Sequence, residues 1–331
     1  MADYEQERRF GVEAVTRACR LCQLVQSQLV TSETVIKADR SPVTAADFGS
    51  QAAISLALRD AFPGDPIVAE ESADDLLELG DETLTERIIH YVQSVHGRVE
   101  REEILAALGR GTHPGGAQGR FWTIDPIDGT KGFLRQEQYA VSLALVENGQ
   151  VVLGILGCPN YPLNWLESEA DCGYLFVAAR GQGAVMRGLE DGREKPILVS
   201  DTEDPAEVVV CESVEAAHSS HEDARKIIER LGVEIPPLRM DSQCKYAAVA
   251  RADASIYLRL PTRADYREKI WDHAAGWIVL KEAGGEITGL NGDPIDFTPG
   301  RLLSANTGIV ATNGRIHARV LDAVQAVLGL P

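Results

Sequence analysis

Asp125-Pro-Ile-Asp128-Gly-Thr130 sets two carboxylates three residues apart, across a turn made by Pro126 and Gly129, at the end of an apolar strand. A turn of this kind aims both carboxylates and the Ile127 carbonyl into one pocket, and hard oxygen ligands suit Mg²⁺. A helix is expected to start after Asp128, and its free N–H groups and dipole favour an anion such as phosphate. Glu70-Glu71 is a second acidic site, again at the end of a short apolar run. Trp271-Asp272-His273 opens an apolar helix and makes a third. Each has a plainer reading when taken alone: a solvated turn, a polar loop, and a helix N-cap at Asp272. What decides between the readings is that all three occur together.

These residues need elements to position them. Residues 5–30 repeat apolar groups at helical spacing. Thr44-Ala-Ala-Asp47 resembles a capping box with Asp in place of Glu, opening a second helix that runs to about Phe62. Residues 67–69 form a short buried strand ending in the Glu pair. Residues 72–118 are acidic and then helical, and close in a Gly-rich stretch, 109–119. They read as a helical insertion with a mobile tail. Strands follow at 121–125, 139–147, 151–156 and 173–179, with Asn148-Gly149 as the strongest hairpin signal in the chain. The second half alternates: strand 208–211, helix 221–231, short strand 237–240, helix 243–251, strand 254–260, helix 272–283, strand 308–312 and helix 315–328. This pattern by itself supports a mixed α and β fold with a second, helix-covered sheet. The polar stretch 187–204 marks the expected boundary.

A length of 331 residues suggests about two domains, and 44% apolar residues suffice for a core. Against 32 Lys and Arg stand 50 Asp and Glu, a net charge of −18. That balance argues against nucleic acid and against an anionic membrane surface as partners. An anionic ligand must be handled locally, by a few placed cations or by metal ions. No apolar run approaches the roughly 20 residues of a membrane span. The first ten residues carry acids and no apolar segment, so neither a signal nor a transit peptide is expected. Six scattered cysteines read as free thiols in a reducing compartment, and a cytoplasmic location is the expectation. Cys19 and Cys22 form a C-x-x-C inside a helical pattern without a second pair, which argues against zinc.

Ala69-Glu-Glu-Ser72, Trp122-Thr-Ile-Asp-Pro-Ile-Asp-Gly-Thr130 and Trp271-Asp-His-Ala-Ala-Gly276 resemble the inositol monophosphatase superfamily of metal-dependent, lithium-sensitive phosphatases. Order and spacing fit across nearly the whole chain. The segments from Lys37 to Asp47, Gly132 to Arg135, His218 to His221, Asp241 to Tyr246, Tyr257 to Pro261 and Glu268 to Gly276 resemble its 3′(2′),5′-bisphosphate nucleotidase branch. The insertion at 72–118 matches the longer, eukaryotic type.

The resemblance implies a layered αβαβα sandwich; the polar stretch divides it into an N-terminal part at 1–190 and a C-terminal part at 191–331. It implies that Glu70, Asp125, Asp128 and Asp272, with the Ile127 carbonyl, hold two or three Mg²⁺ ions. Glu71 would touch a metal directly or through water. Asp47 and Thr130 would pair and orient the attacking water, while the Gly129 and Thr130 N–H groups receive the scissile phosphate. His218, Ser242, Lys245 and Arg259 would bind the nucleoside monophosphate portion, and Tyr246 would stack on the base or pack. The implied activity is removal of the 3′-phosphate of adenosine 3′,5′-bisphosphate to give AMP, with the sulfated precursor as a second substrate and Li⁺ as inhibitor. An inositol bisphosphate substrate and a non-catalytic nucleotide-binding regulator are the alternatives. A monomer is expected. No role follows for residues 109–119, and Cys244 inside the nucleotide motif reads as an inert buried thiol.

Overall fold

The computed structural model describes residues 4–29, 45–165, 172–215, 219–263 and 265–330. Apolar residues at helical spacing give α1 (Glu5–Leu29) one buried stripe: Val15, Ala18, Cys19, Cys22 and Val25. Beside it lies α2 (Ala45–Ala61), rich in small residues and buried almost all round. The short strand β1 (Ile67–Ala69) follows. The insertion forms three helices, α3 (Ala73–Leu79), α4 (Glu82–His96) and α5 (Arg101–Gly109). Ser72 and Asp81 cap α3 and α4 by accepting from the Asp75 and Leu84 N–H groups. Buried Leu76, Ile88, Tyr91, Val92 and Ile104 join the core of α1 and α2.

The expected mobile tail is tied down instead. The Ala69 N–H donates to the Gly111 carbonyl (2.9 Å), and the His113 N–H donates to the Ile67 carbonyl (3.0 Å). The Arg110 guanidinium donates to the Asp65 carbonyl. β1 is the edge of its sheet, and this segment covers the open backbone groups that an edge otherwise exposes.

The chain continues through β2 (Arg120–Asp128), the single turn α6 (Thr130–Leu134), β3 (Ala140–Glu147), β4 (Gln150–Pro162), β5 (Cys172–Ala179), β6 (Ala184–Gly188) and β7 (Glu194–Ile197). Strands β1 to β7 lie side by side in chain order; β1 runs parallel to β2 and every later pair is antiparallel. The sequence pattern did not announce β6 and β7. β7 is a largely exposed edge, Glu-Lys-Pro-Ile, which has no apolar alternation to read and tolerates Pro196 because it is an edge. The first sheet therefore reaches Ile197. Alternation divides each inner strand: Val141, Leu143 and Leu145 pack under α1 and α2, while Ala140, Ala144 and Val146 face a second core.

The remaining elements are β8 (Val210–Glu212), α7 (His221–Leu231), β9 (Leu238–Arg239), α8 (Cys244–Ala250), β10 (Ile256–Arg259), a 3₁₀ turn Ile270–Asp272, α9 (Ala274–Glu282), β11 (Glu286–Thr288), β12 (Ile309–Thr312) and α10 (His317–Leu328). Their five strands pair in the order β11-β12-β10-β8-β9, with β10, β8 and β9 mutually parallel. β11, only three residues long, is a further strand the sequence pattern missed. Helices α8 and α9 fill the space between the two sheets. α9 lies so close to β4 that a Cβ on Gly154 would stand 2.7 Å from the Ala275 carbonyl. On the far side, Ile227 of α7 and Val320 and Val324 of α10 pack on Ile256, Leu258 and Val310. The layers are αβαβα, as the resemblance implies. The closing helices begin later than the pattern suggested, at His317 and, behind the 3₁₀ turn, at Ala274.

Cys19, Cys22, Cys158, Cys211 and Cys244 are buried free thiols, and Cys172 is exposed and free. Burial pushes the Cys19 and Cys22 thiols up, away from the reactive thiolate. Among the described residues, no helix is long and apolar enough to cross a membrane.

Candidate active site

Period-2 alternation alone would send Asp125 and Asp128 to opposite faces of β2. The register against β3 slips between them, since Asp125 faces Ser142 while Asp128 faces Ala140, so three steps answer two. This bulge at Pro126-Ile127 turns both carboxylates into one cleft. Pro126 has no N–H to leave unpaired there, and its carbonyl accepts from the buried Ser50 hydroxyl at 3.0 Å. Gly129 follows at φ 85°, where a Cβ would stand 2.9 Å from the Ser242 Cβ. Only glycine holds this corner without strain.

The cleft measures about 330 Å³ and collects residues from both halves of the chain. β1 runs parallel to β2 with Ala69 opposite Ile124, which brings Glu70 level with Asp125. Gln51 of α2 pins this strand end, accepting from the Glu71 N–H (2.9 Å) and donating to the Glu71 carbonyl (2.6 Å). Asp272 arrives from the 3₁₀ turn. The Trp271 carbonyl before it accepts from Ser142 Oγ (3.3 Å) and Gln243 Nε2 (2.9 Å). The Gln243 N–H donates to Asp128 Oδ2 at 2.7 Å, and Gln243 Oε1 accepts from the Gly276 N–H at 3.0 Å. One residue thus ties together Asp128, the Asp272 turn and the start of α9.

Glu70, Asp125, Ile127, Asp128 and Asp272 all line the cleft. Burial and the neighbouring carboxylates, Asp272 foremost, hold Glu70 well above the usual carboxylate range. Burial, with Glu70, Asp128 and Asp272, does the same to buried Asp125. Burial holds Asp272 up at about 6 against the pull of Arg259. Glu71 does not line the cleft; burial, Asp47 and Asp75 push it up to about 8. Asp47, buried in the first turn of α2, lies near enough to Glu70 and Glu71 to raise both. The Thr130 hydroxyl donates to the Ile127 carbonyl at 3.3 Å, whereas the sequence reading pairs it with Asp47.

The donor set suits a divalent cation. Among the described residues, Asp125 Oδ1 is buried with no hydrogen-bond partner. Such an oxygen is costly unless something outside the chain satisfies it. Several carboxylates that raise one another, with all-oxygen donors, fit Mg²⁺ or a similar hard ion. Glu268, Asp272 and His273 also cluster, their ligand atoms within 4.8 Å of one another. Glu268 Oε2 in this trio lies 2.9 Å from both Arg259 Nε and His273 Nε2, so the glutamate is also ion-paired.

Ser242, Lys245 and Arg259 line the same cleft, together with Gly129 and Thr130. Lys245 is buried; its Nζ donates to the Met240 carbonyl (3.2 Å) and lies 5.3 Å from the centre of the Tyr257 ring. Burial lowers its pKa, with Asp128 and Asp241 opposing. Arg259 is not a free cation, because it also contacts Asp272 at 3.4 Å and the Tyr266 hydroxyl at 3.0 Å. Burial works against its charge, but Glu268, Tyr257 and Asp272 outweigh it and hold Arg259 well up. Tyr246 packs: it meets Tyr257 edge-on at 5.1 Å, and its buried hydroxyl bonds His273 Nδ1 at 2.9 Å. The half-exposed ring at the cleft is Tyr266, which the sequence reading passed over. His218 and the Lys37–Thr44 part of its motif lie outside the described residues.

The family model described as the inositol monophosphatase family matches residues 3–328. A rice (Oryza sativa) protein named 3′(2′),5′-bisphosphate nucleotidase is 45% identical over 340 residues, covering 97% of this chain and 94% of the relative. An Arabidopsis thaliana protein named 3′(2′),5′-bisphosphate nucleotidase 1 is 46% identical, covering 97% and 96%. Among solved structures, an IMPase from Thermotoga maritima superposes with a TM-score of 0.65 at 24% identity, covering 97% of each chain. SuhB of Mycobacterium tuberculosis superposes at 0.64 and 18% identity over the whole of both chains. At these identities the structural likeness speaks for the fold.

Proposed function

The chain belongs to the inositol monophosphatase family, and we propose that it hydrolyses the 3′-phosphate of adenosine 3′,5′-bisphosphate, giving AMP and phosphate, with the 5′-phosphosulfate analogue as a second substrate. One observation carries the reading: a single cleft is lined both by Glu70, Asp125, Asp128 and Asp272 and by Lys245 and Arg259. The names of the relatives agree with a bisphosphorylated nucleotide.

Glu70, Asp125, Asp128, Asp272 and the Ile127 carbonyl would hold two or three Mg²⁺ ions, with Glu71 beside them. Bound Mg²⁺ supplies Lewis-acid polarisation of the phosphoryl oxygens and a lowered pKa for water. The Gly129 and Thr130 N–H groups receive the scissile phosphate at the start of α6. Water attacks phosphorus as the bond to the 3′-oxygen breaks. Asp47 takes the water proton through the Thr130 hydroxyl, which leaves the Ile127 carbonyl to do so. The departing 3′-oxygen is protonated from solvent on the Asp272 side. Ser242, Lys245, Arg259 and His218 hold the nucleoside 5′-phosphate, so the reacting phosphate is placed by a group that does not react.

The reading includes a monomer working in the cytoplasm, a compartment that suits six unpaired cysteines. It moves the division from about residue 190 to beyond β7, since the first sheet reaches Ile197, with Glu70, Asp125 and Asp128 from one part and Asp272 and the nucleotide residues from the other. The test is phosphate release from adenosine 3′,5′-bisphosphate, inositol 1,4-bisphosphate, inositol 1-phosphate and 5′-AMP in parallel, with and without Mg²⁺ and Li⁺. Strong preference for the bisphosphorylated nucleotide, abolished by Li⁺, is the expected result. Preference for an inositol phosphate would overturn the roles of Lys245 and Arg259.

A further inference from the structure

Arg301 sits between β11 and β12, outside the cleft lining, and no step above uses it. Its contacts nonetheless meet the residues that precede two cleft carboxylates from distant parts of the chain. Arg301 Nη2 donates to the carbonyl of Ala69, next to Glu70, at 2.8 Å, and Nη1 donates to the Gly111 carbonyl at 2.9 Å. The Gly111 carbonyl also accepts from the Ala69 N–H, so strand end, insertion tail and guanidinium close one joint. The same guanidinium lies over the ring of Trp271, next to Asp272, at 4.8 Å from the ring centre. The backbone completes the seam: the Ile270 N–H donates to the Arg301 carbonyl (3.0 Å), and the Arg301 N–H donates to the Pro114 carbonyl (3.1 Å).

We propose that Arg301 is a positioning residue that sets the spacing between Glu70 and Asp272, and with it the geometry in which the cleft takes a divalent cation. The inference rests on the metal reading given above. It also gives the 109–119 segment a task, because Gly111 and Pro114 form the far side of the joint. Arginine suits the position because its planar fork bonds two carbonyls while its face stacks on an aromatic ring, which a lysine ammonium cannot do together. Simple electrostatics makes the opposite forecast. Removing a cation near a metal site should tighten metal binding, whereas removing a positioning clamp should weaken it.

The test compares Arg301→Lys and Arg301→Met with Arg251→Lys. Arg251 is a partly buried arginine away from the cleft, over the Tyr161 ring and bonded to the Pro162 carbonyl. Mg²⁺ binding to each full-length variant is read by calorimetry without substrate, alongside Tm. Both Arg301 variants should bind Mg²⁺ at least about tenfold more weakly, as loss of an outer-shell support does. Arg251→Lys should bind as the wild type does, even where its Tm falls as far. If Arg301→Met does not fold, Arg301→Lys, which keeps the charge and loses the fork, decides alone. Unchanged or tighter binding by the Arg301 variants, with a wild type that binds, overturns this inference only. A wild type that binds no Mg²⁺ overturns the metal reading and the inference with it.

Discussion

Arg259 Nη2 lies 3.4 Å from Asp272 Oδ2, and Nε of the same guanidinium lies 2.9 Å from Glu268 Oε2. A cation that the sequence offers to the substrate is thus already shared between a carboxylate of the cleft and a buried glutamate. Behind Glu268 the support continues to His273 and the Tyr246 hydroxyl. An incoming 5′-phosphate would find Arg259 fixed in orientation, which reduces the ordering cost of binding. Arg259→Ala should lose one charge-assisted contact, about 2 kcal/mol or roughly thirtyfold in kcat/KM. Steady-state kinetics on the bisphosphate checks this, and the loss should fall mainly on KM.

Glu268 gives the fold an acid limit. Burial pushes its pKa up, but Arg259 and His273 outweigh burial and hold it down at about 2. A carboxylate depressed by folding contributes stability that is present above its unfolded value, about 4.3, and lost as pH falls through the folded value. Urea midpoints should therefore drop between pH 4.5 and about 2. In Glu268→Gln that part of the drop should be missing, from a lower starting stability.

Gly129→Ala should damage the reaction more than the fold. A left-handed alanine costs about 1–2 kcal/mol. The new Cβ would also press on Ser242 at 2.9 Å, displacing either the Gly129–Thr130 corner or the Ser242 side of the cleft. A fall of about a hundredfold in kcat/KM, the scale of a 1 Å misplacement, should accompany a Tm change of only a few degrees.

Gln243→Leu should lower both stability and metal affinity. It strips the Gly276 N–H of its Gln243 Oε1 acceptor and the Trp271 carbonyl of its Gln243 Nε2 donor. Leaving buried backbone groups unmatched costs about 1–3 kcal/mol. Chemical denaturation reads the first effect, and Mg²⁺ calorimetry reads the second through the displaced Asp272.

The residue types of the site were legible because they are chemically narrow: paired acids at strand ends, Pro and Gly between them, and an Asp opening an apolar helix. How Asp125 and Asp128 reach one face was not legible, since it depends on a register slip against β3 that no local pattern encodes. Arg259 entered as a substrate cation through the family resemblance, and its pairing with Glu268, nine residues away, is not visible in the spacing. Arg301 carried no signal at all; it is one charge in a loop whose partners lie 190 and 232 residues off. Alternation gave only a mixed α and β fold and the layers followed from the family resemblance, whereas β7 was missed because an exposed edge strand has no buried face to pattern it.

The most direct measurement is phosphate release from adenosine 3′,5′-bisphosphate by the wild type and by Asp125→Asn, with Mg²⁺ and with chelator. Asparagine keeps the shape of Asp125 and removes the charge of its buried, unpartnered oxygen. The wild type should release phosphate only with Mg²⁺, and the variant should lose about 10²–10³-fold, the scale seen when one preorganised electrostatic contact is removed. Equal rates for the two proteins, or release by the wild type that persists in chelator, would contradict a metal-dependent reaction at Asp125.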